Sequence, residues 1–145
     1  MKQTMLITMI LSIFITNVHT DMSRANSIPH QDSAFLGTHW TLVSIGGKAI
    51  PRVSREAFIV FDGEKQSAYG SSGCNRMTGK FTVEEGKLRI GPMAGTRMAC
   101  DPESMQLEIA FHKALSEADG YTLKGNQLLL KKGDSVVAEL QAADR

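Results

Sequence analysis

Cys74 and Cys100 are the only two cysteines in the 145-residue chain, and they stand 26 positions apart. Each sits in a short polar motif: Gly73, Cys74, Asn75, Arg76 in the first, and Thr96, Arg97, Met98, Ala99, Cys100 in the second. Three chemistries are open to such a pair. A thiol becomes a nucleophile when a neighbouring base takes its proton, and His112 is the candidate base, but no residue is placed by sequence to orient its ring, so a Cys–His hydrolase is not supported. The histidines at 19, 30, 39 and 112 are scattered without ligand spacing, so no metal site is expected. The third chemistry is a disulfide, which an exported chain favours and which would stabilise by roughly 3.5 kcal/mol on a chain-entropy account of a loop of this length. Two buried thiols are the alternative, because spacing in sequence does not fix the Cα separation a bridge requires.

The polar residues beside the cysteines form the candidate binding set: Asn75, Arg76, Thr96 and Arg97. Such side chains either hydrogen-bond loop carbonyls or face a bound anion. Loop bracing is the favoured role, and Gly70, Gly73 and Gly79 permit the tight turns it needs. It predicts a buried, satisfied Arg76, whereas a binding role predicts an exposed one. Gly73 to Phe81 superficially resembles a phosphate loop, but five residues separate Gly73 from Gly79, and Phe81 stands where the metal-binding hydroxyl belongs. No cofactor is expected. Met93, Met98 and Met105 read as flexible fillers of irregular core space.

Redox context comes from the chain start. Lys2 precedes an apolar stretch from Met5 to Val18, interrupted by Thr8, Ser12, Thr16 and Asn17. This is the shape of a secretory signal over residues 1–25, with cleavage after Thr20 or, given Ser23 and Ala25, after Ala25. The run is too short and too hydroxylated for a membrane span. The first cysteine after it is Cys74, so no lipid anchor is expected at a mature N-terminus. Without residues 1–25 the basic and acidic residues balance, leaving no field to steer toward nucleic acid. Residues 26–37 are polar, contain Pro29 and read as a flexible leader; the folded domain is expected over 38–142.

The elements that must position the two motifs are strands around one helix. Thr38 to Ile45 alternates and ends at Gly46 and Gly47; Ala57 to Phe61 is a continuous apolar run closed by Asp62 and Gly63. Lys48 to Glu56 then reads as a connection. Lys65 to Tyr69, Met77 to Val83 and Lys87 to Ile90 follow as strands, with Gly79 marking a bulge or a close backbone approach. Gly120 to Leu123, Gln127 to Leu130 and Val136 to Leu140 are separated by hairpin-type turns. Between the two groups lies a helix of about 102 to 118, capped by Asp101, opened by Pro102 and stopped by Gly120. Leu107, Ala110, Phe111, Ala114, Leu115 and Ala118 fall on one face, with Glu108, Lys113 and Glu117 outside. The fold class is therefore α+β: a small curved antiparallel β-sheet or partial barrel packed on a single helix.

The segments GCNRMTGKF and TRMAC, the helix carrying Ala114 and Leu115, and a first strand with Trp40 and Leu42 together resemble the META domain family over about Thr38 to Leu140. The resemblance implies a small antiparallel barrel-like domain on one helix, in envelope proteins often associated with stress or motility, with no established catalytic mechanism. Many relatives are lipoproteins; this chain lacks the necessary cysteine, so the location implied is soluble and periplasmic. The expected function is non-enzymatic binding of an envelope partner, by a monomer. The alternative is a carrier of a small apolar or lipid ligand in a cavity between helix and sheet, as in the structurally similar secretin pilots.

Overall fold

The computed structural model describes residues 34–143, so the expected signal and the first part of the expected leader lie outside the described residues. The chain forms β1 (Trp40–Ile45), β2 (Lys48–Ala49), β3 (Ala57–Asp62), β4 (Ser67–Ser72), β5 (Arg76–Glu84), β6 (Lys87–Ile90), β7 (Ala94–Gly95), α1 (Pro102–Glu117), β8 (Gly120–Lys124), β9 (Gln127–Lys132) and β10 (Ser135–Ala142). All pairings are antiparallel, in the order β6-β5-β4-β3-β1-β10-β9-β8, with β2 added to β1 and β7 to β5.

The sheet nearly closes into a barrel. At its two margins the Leu88 amide donates to the Asp119 carbonyl at 3.3 Å, linking β6 to the start of β8. The helix touches β1, β4, β6, β9 and β10. In a flat sheet β6 and β9 would stand six spacings, roughly 29 Å, apart, more than the roughly 24 Å length of a 16-residue helix. Curvature is what brings both to one helix.

Period-two patterning sets the inward face. Trp40 and Leu42 of β1, Ala57, Ile59 and Phe61 of β3, Leu128 and Leu130 of β9, and Ala138 and Leu140 of β10 are buried together with Leu107, Phe111, Ala114 and Leu115 of α1. Phe35 joins them: it is fully buried, packs edge-on against Phe61 with centroids 5.0 Å apart, and its carbonyl accepts the Trp40 indole N–H at 2.9 Å. The folded body therefore begins before Thr38, which corrects the leader boundary at 37. A single aromatic in a polar stretch carries no period, so pattern reading passes over it.

Three further expectations shift. The Asp62 carboxylate accepts the amides of Glu64 and Lys65, each at 3.1 Å, so Lys65 and Gln66 belong to a turn and the strand expected from Lys65 starts at Ser67. The connection over Lys48 to Glu56 contains the two-residue β2 hairpin arm. The helix ends at Glu117, one residue short of the expected 118, and without help from Gly120: Ala118 is already extended while its N–H still reaches the Ala114 carbonyl at 3.1 Å, and Gly120 opens β8. At the other end Asp101 caps as expected, accepting the Ser104 amide at 2.9 Å and the Ser104 hydroxyl at 2.7 Å. These two bonds hold the Asp101 carboxyl below its usual range. Gly79 is a close-approach site without a bulge: a Cβ there would lie 2.6 Å from Met93 Sδ and 2.9 Å from the Pro92 carbonyl, while β5 keeps continuous register with β4.

Candidate functional site

The loop from Ser72 to Asn75 turns β4 into β5 through Gly73, whose φ of +92° favours glycine. Cys74 in this loop is buried and bonded to Cys100, immediately before the helix cap, with Cα atoms 6.0 Å apart. The bridge thus joins a hairpin end to the helix start. It also leaves the sulfur of Cys74 with no thiol that His112 could activate.

Asn75 is the hub beneath the bridge, with 3% of its surface exposed. Its Oδ1 accepts the Thr96 hydroxyl and the Met98 amide, both at 2.8 Å. Its Nδ2 donates to the Met98 carbonyl at 3.2 Å and to Glu108 Oε2 at 3.0 Å, and its backbone amide reaches the same carboxylate oxygen at 3.2 Å. The buried Ser72 hydroxyl donates to that oxygen at 2.6 Å. One asparagine therefore ties together the β4–β5 loop, the second cysteine motif and the helix. Replacing Asn75 by alanine leaves the part-buried Glu108 carboxylate and the Met98 backbone short of partners, and is expected to cost roughly 2 kcal/mol in equilibrium urea unfolding.

The four motif residues thus divide. Asn75 and Thr96 brace; Thr96 also bonds the Arg76 backbone in both directions, at 3.2 Å and 3.1 Å. Arg76 and Arg97 do not: both side chains are exposed. For Arg76 this is the reverse of the buried guanidinium that loop bracing requires, because β5 directs its odd positions inward and its even ones outward. Glu108 and Ser72 were missed, Glu108 having been placed on the outer face of the helix. The readable signal is the spacing of Ser104, Glu108, Phe111 and Leu115, which continues the buried stripe by one polar step.

Burial pushes the Glu108 carboxyl upward, but hydrogen bonds from Ser72 and Asn75 and the nearby His112 outweigh it, and the net effect holds it below the usual glutamate range. A carboxyl with a lower pKa folded than unfolded contributes stability above its unfolded value and loses that contribution as pH falls through the folded one. Glu108→Gln should therefore flatten the fall of the urea midpoint measured from pH 6 down to pH about 3, leaving the slope that Asp62 and Asp101, lowered in the same sense, supply.

Open space lies on the outer face of the sheet. A groove of about 860 Å³ crosses β3, β4 and β5, bounded by Arg55 and Glu56 on one side and by β7 and Thr96 on the other. Register places two rows of outward residues across its floor: Phe58, Ser71 and Arg76, then Tyr69, Thr78 and Ala94. The outward side of an antiparallel strand is ordinarily polar, yet β3 puts Phe58 there and β4 puts Tyr69, 47% exposed. The unbroken apolar run of β3 was the sequence sign of this second face. His39 stacks on Phe58 with ring centroids 4.0 Å apart. Between helix and sheet, where the alternative carrier reading places an apolar ligand, Leu107, Phe111 and Leu115 are part of the common core.

The META domain family model matches residues 33–144. The chain belongs to the META domain family. Among relatives of this META domain, heat shock protein HslJ of Escherichia coli (strain K12) is 34% identical over 92 residues, which covers 63% of this chain and 64% of HslJ. The chain thus spans slightly under two thirds of that relative's length. An NMR structure of a protein from Burkholderia xenovorans is 30% identical, covers 77% of this chain and 85% of its own, and superposes with a TM-score of 0.59. A second NMR structure agrees equally well at 30% identity, over 74% of this chain and 90% of its own. The crystal structure of a DUF4847 family protein from Bacteroides vulgatus shares the fold at 15% identity, with a TM-score of 0.60 over 79% of this chain and 99% of its own. The nearly closed antiparallel barrel with one packed helix is thus the fold of the META domain and of its structural neighbours. Among the described residues of this META domain, no helix is long and apolar enough to cross a membrane.

Proposed function

We propose that this META domain is an exported, periplasmic, stress-associated binding protein that acts without catalysis by holding an envelope partner in its outer groove. The single observation carrying this reading is the apolar floor on the solvent side of β3 and β4, with Phe58 and Tyr69 placed where a strand ordinarily presents polar residues. Export is supported by the signal-like residues 1–25 and by a disulfide, which persists in oxidising compartments. The stress association rests on the name of the heat shock relative. The non-catalytic reading is supported by the pairing of the cysteines with each other and by the Asn75, Glu108 and Ser72 cluster, whose hydrogen bonds serve the fold. A carrier of a lipid or small apolar ligand places its cargo between helix and sheet, where the side chains form a core, so the outer groove favours partner binding.

The test is site-specific photo-crosslinking in the native host under heat stress. A photoreactive residue at Tyr69 should give a discrete adduct with an envelope protein that the same residue at Ile109, an exposed helix position outside the groove, does not. Equal labelling from both positions, or none from Tyr69, would overturn the groove assignment. Recovery of the chain in the cytosolic fraction with its first 25 residues attached would overturn export.

A further inference from the structure

We propose that the groove's occupant is an extended acidic segment of a partner protein, seating an apolar side chain on Phe58 and Tyr69 and placing carboxylates against Arg55 and Arg76. The inference rests on the partner-binding reading above and adds the chemistry of what is bound.

Charge on this face carries it. Arg55 and Arg76 are both exposed, both line the groove, and neither guanidinium makes an ion pair among the described residues. The nearby carboxylates have hydrogen-bond partners within the chain, Glu56 on the groove rim among them. Glu56 meets His39 at 3.2 Å and also accepts the Thr41 hydroxyl, and Asp62 pairs with Lys65 at 3.1 Å. Lys80 adds a third cation on the outward side of β5, its ammonium donating only to the Lys65 carbonyl at 3.3 Å. The groove lining thus presents two exposed guanidiniums without an ion pair, Arg55 and Arg76, against the one carboxylate of Glu56, around an apolar floor. A guanidinium offers a planar fork of donors that matches a carboxylate in a way water does not.

Dimensions favour a chain over a small anion or an acyl tail. Three strand spacings from β3 to β7 cover roughly 14 Å, the reach of about four extended residues. An acyl tail gains from enclosure on all sides, and this groove lies open along an exterior sheet face. A free anion would use the arginines but leave Phe58 and Tyr69 unexplained.

The oxidised mature protein should be titrated by fluorescence anisotropy with fluorescein-labelled pentapeptides of sequence DEFDE, SGFGS and KKFKK. The acidic peptide is expected to bind at least about tenfold more tightly than the other two at low salt, with the margin shrinking as salt rises. R55E combined with R76E should reverse the ranking in favour of the basic peptide. Tyr69→Ala should weaken whichever peptide binds by about fivefold. These are exposed positions, and an unchanged circular dichroism spectrum and retained disulfide confirm that each variant is folded. Equal binding of acidic and neutral peptides, both weakened by Tyr69→Ala, would overturn the acidic occupant and leave the groove reading standing. No peptide binding, together with no adduct from Tyr69 in cells, would overturn both. Sedimentation with phosphatidylglycerol vesicles that the double reversal abolishes, without peptide binding, would replace the peptide by a membrane surface. Self-association that Tyr69→Ala disperses would replace it by a second copy of the chain.

Discussion

Phe111→Ala is expected to lower the free energy of unfolding by about 4 kcal/mol, read as a shift of the urea midpoint with an unchanged slope. Phe111 is fully buried, one of the largest such side chains in the protein, and lies where the helix meets the curved sheet. Its neighbours on the helix face, Ala110 and Ala114, are too short to close the void by rotation. The strands around it are fixed by pairing on both sides, which limits collapse further. The loss therefore approaches the upper part of the range for aromatic truncation. A loss under about 1 kcal/mol would mean that the helix does not fill the barrel in solution.

The second large effect belongs to the bridge. Replacing both Cys74 and Cys100 by serine should cost roughly 3.5 kcal/mol, because a covalent closure over 26 residues no longer restricts the unfolded chain. The loss is expected to appear equally on adding reductant to the unmodified protein, since no other cysteine exists to re-pair. Hydrogen exchange should locate the consequence. Amides of Asn75, Arg76 and Met98, held by the hub beneath the bridge, should lose protection before those of β9 and β10. If the protein isolated from its native host is alkylated at both sulfurs without prior reduction, the pairing itself is wrong.

Much of the fold was legible because two periods dominate it. Leu107, Phe111, Ala114 and Leu115 repeat at helical spacing, and β1 and β5 alternate cleanly, so element type and inward face could be read from local pattern. Asp101 and Pro102 fixed the helix start to the residue, because capping chemistry is local. What escaped was set by partners distant in sequence. Phe35 is anchored by Trp40 and Phe61, β7 exists only by pairing with Met77 and Thr78, and Glu108 turns inward because Asn75 and Ser72 wait there with donors.

The candidate site was half legible for the same reason. The two cysteine motifs identified the residues that meet, but the division of labour between Asn75, which faces in, and Arg76, which faces out, follows from strand parity, and the motif itself does not state it. The groove takes Arg76 and Thr96 from the two motifs, but its aromatic floor, Phe58 and Tyr69, lies on residues that no motif flagged. An aromatic on the outward side of a strand is visible in sequence only once the register of that strand is known.

A sheet whose two margins almost meet has little left for a neighbour to grip. In this protein β6 and β8 approach each other at the Leu88 to Asp119 link, so the two margins that would template growth in an open sheet lie against one another. The fold thereby carries its own defence against edge-to-edge growth.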